Sequence, residues 1–291
     1  MSFFSKDQNI LISKLGNDGW YPKDKHVLKN MLDEMLQGSA SEAKIKAMIC
    51  PHAGYIYSGD VLAKAVINID QNQYSKIIIL GPCHYANVQD LSILTNYKAI
   101  ETPIGTTHLL KSDIETLIEN PFFRIEDQIH KPEHSIQMQI PPLQFKCPNT
   151  PILPIILGSL SIEASQAIAS QISQIIDQDT LILVSSDFTH YGDNFDFKPF
   201  ENPADGSTRE QIEKHDMKAI QPIIQNDLLS YQEFIRTNNH TICGCFAIEV
   251  LMQLCHNNTE FKLCAYKTSG DLTGDYSHSV SYASIIAHGR W

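Results

Sequence analysis

Residues 76–84 read KIIILGPCH and end on His84. The isoleucine and leucine run from 77 to 80 is unbroken, which is typical of a strand covered on both faces of a sheet. Gly81 and Pro82 then end the strand, because proline cannot donate to a strand ladder. The stretch therefore predicts a buried strand that delivers a histidine to one edge of a sheet.

Short β-rich runs of this kind alternate along the chain with longer amphipathic segments. The predicted strands are Lys44–Cys50, Lys76–Leu80, Leu91–Thr95, Ile152–Leu157, Leu181–Ser185, Lys262–Thr268 and Val280–Ala287. The predicted helices are Asp24–Leu36, Ser58–Ile69 (with Ser58 as its N-cap), Thr107–Glu119, Ile162–Ile176, Ser207–Gln225, Leu228–Thr237 and Thr241–Cys255. This alternation predicts a layered α/β fold. No compositional break divides the chain, so we predict one domain over residues 1–291.

The composition excludes several classes of function. The chain has 22 lysines and arginines against 33 aspartates and glutamates, a formal net charge of −11. So acidic a chain is a poor nucleic-acid binder, and no apolar stretch approaches the about 18 residues of a membrane-spanning helix. The first twenty residues lack the apolar core of a signal peptide. Seven cysteines without a C-x-x-C pair indicate reduced thiols, so we expect a cytoplasmic protein without a membrane span.

Three predicted strands are each followed by a histidine, namely His52, His84 and His190. In open α/β sheets, ligands bind beyond the carboxyl ends of the strands, so these side chains can meet in one cleft. Imidazole is a common ligand of iron, zinc and copper. A single histidine at a strand end is more often structural, but three at equivalent positions favour a shared site.

Asp187 and Cys243 each allow two interpretations. Asp187 either caps the turn after its strand or fixes the tautomer of His190, three residues further on, for general acid–base work. Cys243 lies at the start of a predicted helix. It is either a buried apolar thiol or a metal ligand whose thiolate the helix N-terminus stabilises.

Other polar segments are candidates for the surroundings of the site. Glu133 and His134 begin a predicted helix and either cap it or lie at the cleft rim, where we also place Tyr55. Residues 188–205 mix aromatic, acidic and proline residues, which predicts a long surface loop that can act as a lid. The polar stretch between the last two predicted strands is expected to be the turn of a hairpin.

Seven short motifs occur here in the order found in a known family. They are Gly19-Trp20-Tyr21-Pro22, Pro51-His52-Ala53-Gly54-Tyr55, Leu80-Gly81-Pro82-Cys83-His84, Glu133-His134-Ser135, residues 185–192 (SSDFTHYG), Thr241-Ile242-Cys243-Gly244 and Ser279-Val280-Ser281-Tyr282-Ala283. With them the chain resembles the Memo family, whose prokaryotic members are called AmmeMemoRadiSam system protein B. The resemblance covers about residues 19–289.

The Memo family is similar in fold to the class III extradiol, or LigB-like, dioxygenases, which open catechol rings with non-haem Fe(II). The resemblance implies three α/β/α layers around a mixed central sheet. It implies that His52 and His84 match the two histidine ligands of those enzymes, and that His190 matches their acid–base histidine, with Asp187 beside it. Cys243 falls where they have a carboxylate ligand. The resemblance makes Fe(II) the first expectation, and the softer set of two histidines and one cysteine also suits copper or zinc.

Three functions remain open from the sequence. The first is a metal-dependent oxidoreductase that joins O₂ to a small, aromatic substrate, with His190 moving a proton. The second is a non-catalytic protein that handles metal or binds a peptide in the same cleft. The third is a zinc hydrolase with a metal-activated water.

Overall fold

The computed structural model describes residues 9–38, 43–70, 73–200 and 206–291. The first half contains β1 (Ile10–Ile12), α1 (Lys25–Met35), β2 (Ile45–Cys50), α2 (Tyr55–Val66), β3 (Lys76–Pro82), β4 (Ser92–Leu94), β5 (Ala99–Thr102), β6 (Gly105–His108), α3 (Ser112–Leu117), β7 (Phe123–Ile125), α4 (Asp127–His130), α5 (His134–Gln137) and α6 (Ile140–Lys146). The second half contains β8 (Ile152–Leu157), α7 (Ile162–Ser173), β9 (Thr180–Ser185), β10 (His190–Tyr191), a 3₁₀ turn (Asp193–Phe195), α8 (Thr208–Ile224), α9 (Leu228–Thr237), α10 (Cys245–Leu254), β11 (Glu260–Thr268), α11 (Ser269–Thr273) and β12 (Ser279–His288).

The main sheet has nine strands among the described residues, in the order β10-β12-β2-β9-β3-β8-β4-β7, with β11 paired to β12. Its centre, β2-β9-β3-β8, is parallel, whereas β12 runs antiparallel to β2. Cys50 on β2 pairs with Ser185 on β9, and Leu80 on β3 pairs with Val184. The carboxyl ends of β2, β3 and β9 therefore lie side by side at one edge of the sheet.

Helices cover both faces of this sheet, which confirms the predicted three-layer α/β/α architecture. The side chains of β3 show it, because successive residues of a strand point to opposite faces. Ile77 and Ile79 pack in the cluster that contains residues of α1, α2 and α6. Ile78 and Leu80 pack in the cluster that contains residues of α7, α8, α9 and α10. The apolar run 77–80 is thus buried on both sides, as its composition indicates.

A small second sheet, with strands in the order β1-β5-β6, was not anticipated from the sequence. It also corrects one predicted helix. Thr107 and His108 belong to β6 and pair with Ile100 and Ala99, so the helix predicted from Thr107 is reduced to Ser112–Leu117. β-branched threonine fits a pleated ladder better than a helix, and the neighbouring strand supplies the ladder.

Ser58 is not the N-cap of α2, which corrects a second prediction. The helix begins at Tyr55 with Gly54 at the cap position, and the Ser58 hydroxyl donates to the carbonyl of Ala53. Strands β11 and β12 pair antiparallel, as the predicted hairpin requires, but the stretch that joins them contains the short helix α11 and is not a simple turn.

The segment that follows β9 begins inside the fold and is not a surface loop there, which corrects the prediction. Phe188 is fully buried, and His190 and Tyr191 pair with Val280 and Ser279 of β12. The last five residues of the predicted lid, 201–205, lie outside the described residues. Within the part of the chain that is described, none of the helices has the length and apolar character needed to cross a membrane.

Candidate metal centre

Three predicted ligands meet at the carboxyl edge of the central strands. His52 follows β2, His84 follows β3, and Cys243 immediately precedes the Gly244 cap of α10. One donor atom from each lies within 4.8 Å of the other two. The Cys243 sulfur is 3.3 Å from Nε2 of His52, although 191 residues separate the two in sequence. The fold therefore brings together the three residues that the sequence analysis proposed as ligands.

The hydrogen bonds of Ser185 assign the tautomer of His52. The Ser185 hydroxyl has one proton, which it donates to the carbonyl of Ser135 at 2.6 Å. Its oxygen also accepts from the amide of Gln139 at 2.9 Å. Nδ1 of His52, 2.8 Å from the same oxygen, must therefore be the donor. It follows that Nε2 of His52 has no proton and presents its lone pair towards Cys243.

A buried carboxylate, that of Glu133, places a proton on Nδ1 of His84 in the same way. Oε1 of Glu133 lies 2.8 Å from Nδ1 of His84, and Oε2 accepts from the backbone N–H of His84 at 2.7 Å. Burial alone would raise the pKa of Glu133, but hydrogen bonds from His84 and Ser135, and the charge of His84, outweigh it and lower the pKa to about 2. An ionised Glu133 only accepts, so Nδ1 of His84 carries a proton, and Nε2 is the ring nitrogen that this carboxylate leaves available to a metal.

A third imidazole, His134, stacks on the ring of His84 with centroids 4.4 Å apart. It also faces the indole of Trp20 at 4.6 Å and lies 3.2 Å, through Nδ1, from the hydroxyl of Tyr85. Burial, with the charges of His52 and His84, lowers the pKa of His134 to about 3. His84, Glu133 and His134 form a second group with metal-ligand spacing, and it shares His84 with the first.

Cys243 is placed by a close approach between the end of β9 and the start of α10. A side chain at Gly244 would bring a Cβ within 2.5 Å of Ser186 and 2.7 Å of the Ser185 carbonyl, so only glycine fits there. The Cys243 sulfur accepts from the backbone N–H of Asp187 at 3.2 Å. Burial, and then the charge of Asp187, raise the pKa of the Cys243 thiol well above its ordinary value.

Asp187 lies beside His52 and does not orient His190 by a hydrogen bond, which corrects the predicted pairing. Its Oδ1 accepts from the backbone N–H of His52 at 2.9 Å, and its Oδ2 is 3.9 Å from Nε2 of His52. Burial raises the pKa of Asp187, while the charge of His190 and the His52 hydrogen bond oppose the rise.

Two backbone carbonyls orient His190 instead. Its Nδ1 is 3.0 Å from the oxygen of Phe188 and 3.0 Å from the oxygen of Thr241. Carbonyl oxygens only accept, so Nδ1 carries the proton and Nε2 is free to accept one. The ring packs edge-on against Phe195 with centroids 5.0 Å apart. The geometry suits a base, as the sequence predicts for this residue.

The structure changes the roles of two residues placed at the cleft rim. Tyr55 is buried, stacks on Tyr21 and donates its hydroxyl to the carbonyl of Met138, so its role is structural. Glu133 is fully buried behind His84 rather than at the rim. His134 is the member of that group that borders the site. Sequence analysis missed the orienting roles of Ser185 and Gln139, because these contacts join distant parts of the chain.

A cavity of about 460 Å³ adjoins the histidine cluster through Trp20 and Tyr85, both of which contact His134. Its walls also contain charged residues of both signs and apolar residues. The remaining lining residues are Ile12, Lys14, Leu15, Asp18, Gln128, Lys131, Pro132 and Gln137. Its size and its mixture of aromatic and polar walls are typical of a site for a small molecule.

The donor set fits a first-row transition metal. Each of the two imidazoles has Nδ1 held by a hydrogen-bond acceptor and turns Nε2 to the site, as ligating histidines usually do. The third donor is a thiol, and metal binding displaces the proton of such a group. Two imidazoles and a thiolate suit iron, copper and zinc, and do not suit the oxygen-seeking ions calcium and magnesium.

Comparisons with known proteins identify the family. The model of the family described as Memo-like protein matches residues 17–286. The chain belongs to the Memo-like protein family. It is 31% identical to a MEMO1 family protein of Nitrosopumilus maritimus, over 91% of this chain and 95% of that one. It is also 31% identical to a MEMO1 family protein of Methanobrevibacter smithii, over 92% and 96% of the two chains.

The Memo-like family extends to eukaryotes. A MEMO1 family protein of Schizosaccharomyces pombe is 28% identical to this chain, over 92% of it and 96% of the yeast protein. Among solved structures, an uncharacterised protein of Escherichia coli K12 aligns with 84% of this chain at 11% identity and a TM-score of 0.46. The family match covers every residue of the candidate metal centre, from His52 to Cys243.

Proposed function

We propose that this Memo-like protein is a metal-dependent oxidoreductase that holds Fe(II) through His52, His84 and Cys243. The observation that carries the proposal is the arrangement of the two imidazoles. Ser185 and Glu133 each bind one ring nitrogen, and the other nitrogens lie near the Cys243 sulfur. Histidines that ligate metals almost always have such a partner on the second ring nitrogen.

Each chain residue then has a separate task. When bound, the metal supplies open coordination positions for O₂ and substrate and a one-electron redox couple. His52 and His84 hold it, and the backbone N–H of Asp187 stabilises the negative sulfur of Cys243. His190 takes a proton from a substrate hydroxyl on Nε2, because Phe188 and Thr241 keep its Nδ1 proton in place.

The cavity beside the cluster supports a small aromatic substrate. The indole of Trp20 and the phenol of Tyr85 form part of its wall and also contact His134, next to the proposed metal. Aromatic side chains recognise flat rings by offset or edge-on packing. A substrate ring seated there would contact Trp20 and Tyr85, which separate it from His134.

Cys243 favours a second candidate, a non-catalytic protein that handles metal. Thiolate is a softer ligand than the carboxylate of the extradiol dioxygenases, and a set of two histidines and one cysteine also binds copper and zinc. The same three residues would then store or transfer the ion, and His190 would have no proton to move.

Elemental analysis of the full chain, purified without a histidine tag or chelator, tests the site. We expect close to one iron per chain, and loss of that metal in His52→Ala, His84→Ala and Cys243→Ala. His26→Ala, on the exposed side of α1, is the matched control and should keep the metal. Full metal content in both site-histidine variants would refute the site. Copper instead of iron would favour metal handling.

Oxygen uptake with a panel of catechols tests the reaction. His190→Ala should keep the metal and lose the turnover, because it removes the proton acceptor and no ligand. Wild-type turnover in that variant would show that His190 is not the base. Hydrolysis of an added ester by the zinc-loaded chain without O₂ would favour a hydrolase, and bound metal without any turnover in either assay would favour metal handling.

A further inference from the structure

A buried carboxylate outside the metal centre is tied to the segment that carries His190. Asp216 lies on α8 and is fully buried. Its Oδ1 accepts from the backbone N–H of Thr189 at 3.1 Å and from the Thr189 hydroxyl at 2.6 Å. Its Oδ2 accepts from the hydroxyls of Tyr266, at 2.7 Å, and Ser281. Four donors therefore converge on one side chain.

Burying the carboxylate of Asp216 has a free-energy cost for the fold. Burial raises the pKa of Asp216, and the hydrogen bonds from Ser281, Thr189 and Tyr266 oppose the rise. All of the hydrogen bonds described for the carboxylate come from neutral donors, and a buried charge with neutral partners lowers folding stability relative to an apolar residue. The four donors belong to three strands or segments, so Asp216 joins α8 to β11, to β12 and to the chain just before β10.

Every polar atom of Thr189 makes a hydrogen bond. The N–H and hydroxyl of Thr189 donate to Asp216, and the carbonyl of Thr189 accepts from the backbone N–H of Ser281 at 2.9 Å. The preceding residue, Phe188, donates its N–H to the Ser281 carbonyl at 2.9 Å. The peptide units on both sides of Thr189 are therefore fixed in direction.

This rigidity matters because the Phe188 carbonyl is one of the two acceptors that orient His190. The other is the carbonyl of Thr241, whose hydroxyl also accepts from the His190 N–H and donates to the His190 carbonyl. If Thr189 turned, the Phe188 oxygen would leave Nδ1 of His190, and the alternative tautomer, with the proton on Nε2, would gain population.

We propose that Asp216 is a positioning residue, which fixes Thr189 so that His190 keeps its proton on Nδ1 and a free Nε2. The inference rests on the proposed role of His190 as the proton acceptor. Asp216 contacts neither the metal ligands nor the cavity, and it acts through the backbone of residues 188–190.

Long-range ¹H–¹⁵N spectra of the histidine rings test the inference on the full-length, metal-free chain. Loss of a signal set in His190→Gln identifies the ring. In wild type we expect His190 to be protonated on Nδ1. In Asp216→Leu the ratio of Nδ1–H to Nε2–H should fall roughly tenfold, as expected for losing one well-placed hydrogen bond. Asp216→Asn keeps one carbonyl oxygen for Thr189 and should retain most of the wild-type ratio.

Ile220→Ala is the matched control, because Ile220 is a buried residue of the same helix and its truncation destabilises the core without touching Thr189. It should leave the His190 tautomer unchanged. If Asp216→Leu does not fold, Thr189→Val removes a single donor with little change in shape, and should lower the ratio roughly threefold.

A wild-type tautomer in folded Asp216→Leu, or in Thr189→Val, would overturn the positioning role. Equal loss of the ratio in Ile220→Ala would overturn it as well, since it would show a general effect of lower stability. The measurement uses neither metal nor substrate. It therefore fails or succeeds separately from the elemental analysis and oxygen uptake that test the proposed function.

Discussion

At the scale of single residues, buried acceptors decide which nitrogen each site histidine presents. Ser185 has one hydroxyl proton and gives it to Ser135, so it can only accept from His52. Glu133 stays ionised and can only accept from His84. Both imidazoles therefore have Nε2 available to bind a metal. Ser185 and Glu133 are not proposed as ligands, so a measurement of metal affinity is needed to detect their contribution.

Replacing Glu133 by glutamine should weaken the metal centre. The side-chain amide introduced by Glu133→Gln would place an N–H against one of the N–H groups of His84 or Ser135 that the carboxylate now accepts. We expect the metal affinity to fall about 10–100-fold, the usual effect of losing such a partner. Competition with a chelator of known affinity measures this fall.

Asp127→Asn is the matched control for that change. Asp127 also accepts from a side chain and a backbone N–H, those of Thr95 and Asn96, and it makes no contact with the site histidines. Its substitution should leave the metal affinity as it is. Wild-type affinity in Glu133→Gln would show that His84 needs no partner to bind.

At the scale of secondary structure, the position of Cys243 depends on how closely α10 approaches β9. Alanine at Gly244 would force its Cβ against Ser186 and the Ser185 backbone, which cannot move without disturbing the sheet. We expect Gly244→Ala to lower the free energy of unfolding by about 1–3 kcal/mol. Urea unfolding followed by circular dichroism measures it. Gly105→Ala, where nothing lies within 4 Å of the new atom, is the control and should have a much smaller effect.

An ion pair joins α10 to α9. Glu249 is fully buried and accepts two hydrogen bonds from the partly exposed Arg236, at 2.8 and 2.9 Å, and one from Gln232. Arg236→Ala leaves this carboxylate without its charge partner and should cost about 1–3 kcal/mol of unfolding free energy. Adding Glu249→Gln should restore much of the loss, because the unpaired charge is gone. A cost no larger than that of Lys267→Ala, in an exposed pair with Asp60, would contradict this account.

The elements that the sequence predicts well are those whose own residues determine them. The strands Lys76–Pro82 and Ile152–Leu157 are continuous apolar runs, and their bounds differ little from the prediction. Short strands such as β1 and β5 have three or four residues and form because a partner from elsewhere in the chain is present. Thr107 was assigned to a helix for the same reason, since its ladder partner lies on another strand.

For the candidate site, the proximity of the histidines could be predicted and their hydrogen-bond partners could not. Histidines after neighbouring parallel strands share one sheet edge whatever the details of the loops, so the proximity of His52 and His84 follows from topology. The partner of His84 is Glu133, 49 residues away, and the residues that hold His190 come from two different segments. Such contacts depend on tertiary packing, and the patterns of a single sequence do not show which distant residues will be in contact.

At the scale of the whole molecule, acid should weaken the fold through His215. Its ring lies among Phe197, Phe200 and Phe234, and Nε2 has no hydrogen-bond partner among the described residues. Burial, with the positive charges of Lys218 and His240, lowers the pKa of His215 to about 4.

The direction of the effect follows from proton uptake. Between pH 6.5 and pH 4 the unfolded chain protonates this histidine and the folded chain does not, so acid favours unfolding. We expect His215 to account for a loss of about 1–2 kcal/mol in the free energy of unfolding as the pH falls through this range. Urea unfolding at pH 7 and pH 4.5 gives the loss for wild type, and His215→Leu should show a smaller one. His26→Gln, which changes an exposed histidine, should behave as wild type. An equal loss in wild type and His215→Leu would mean that other groups govern the acid sensitivity of the fold.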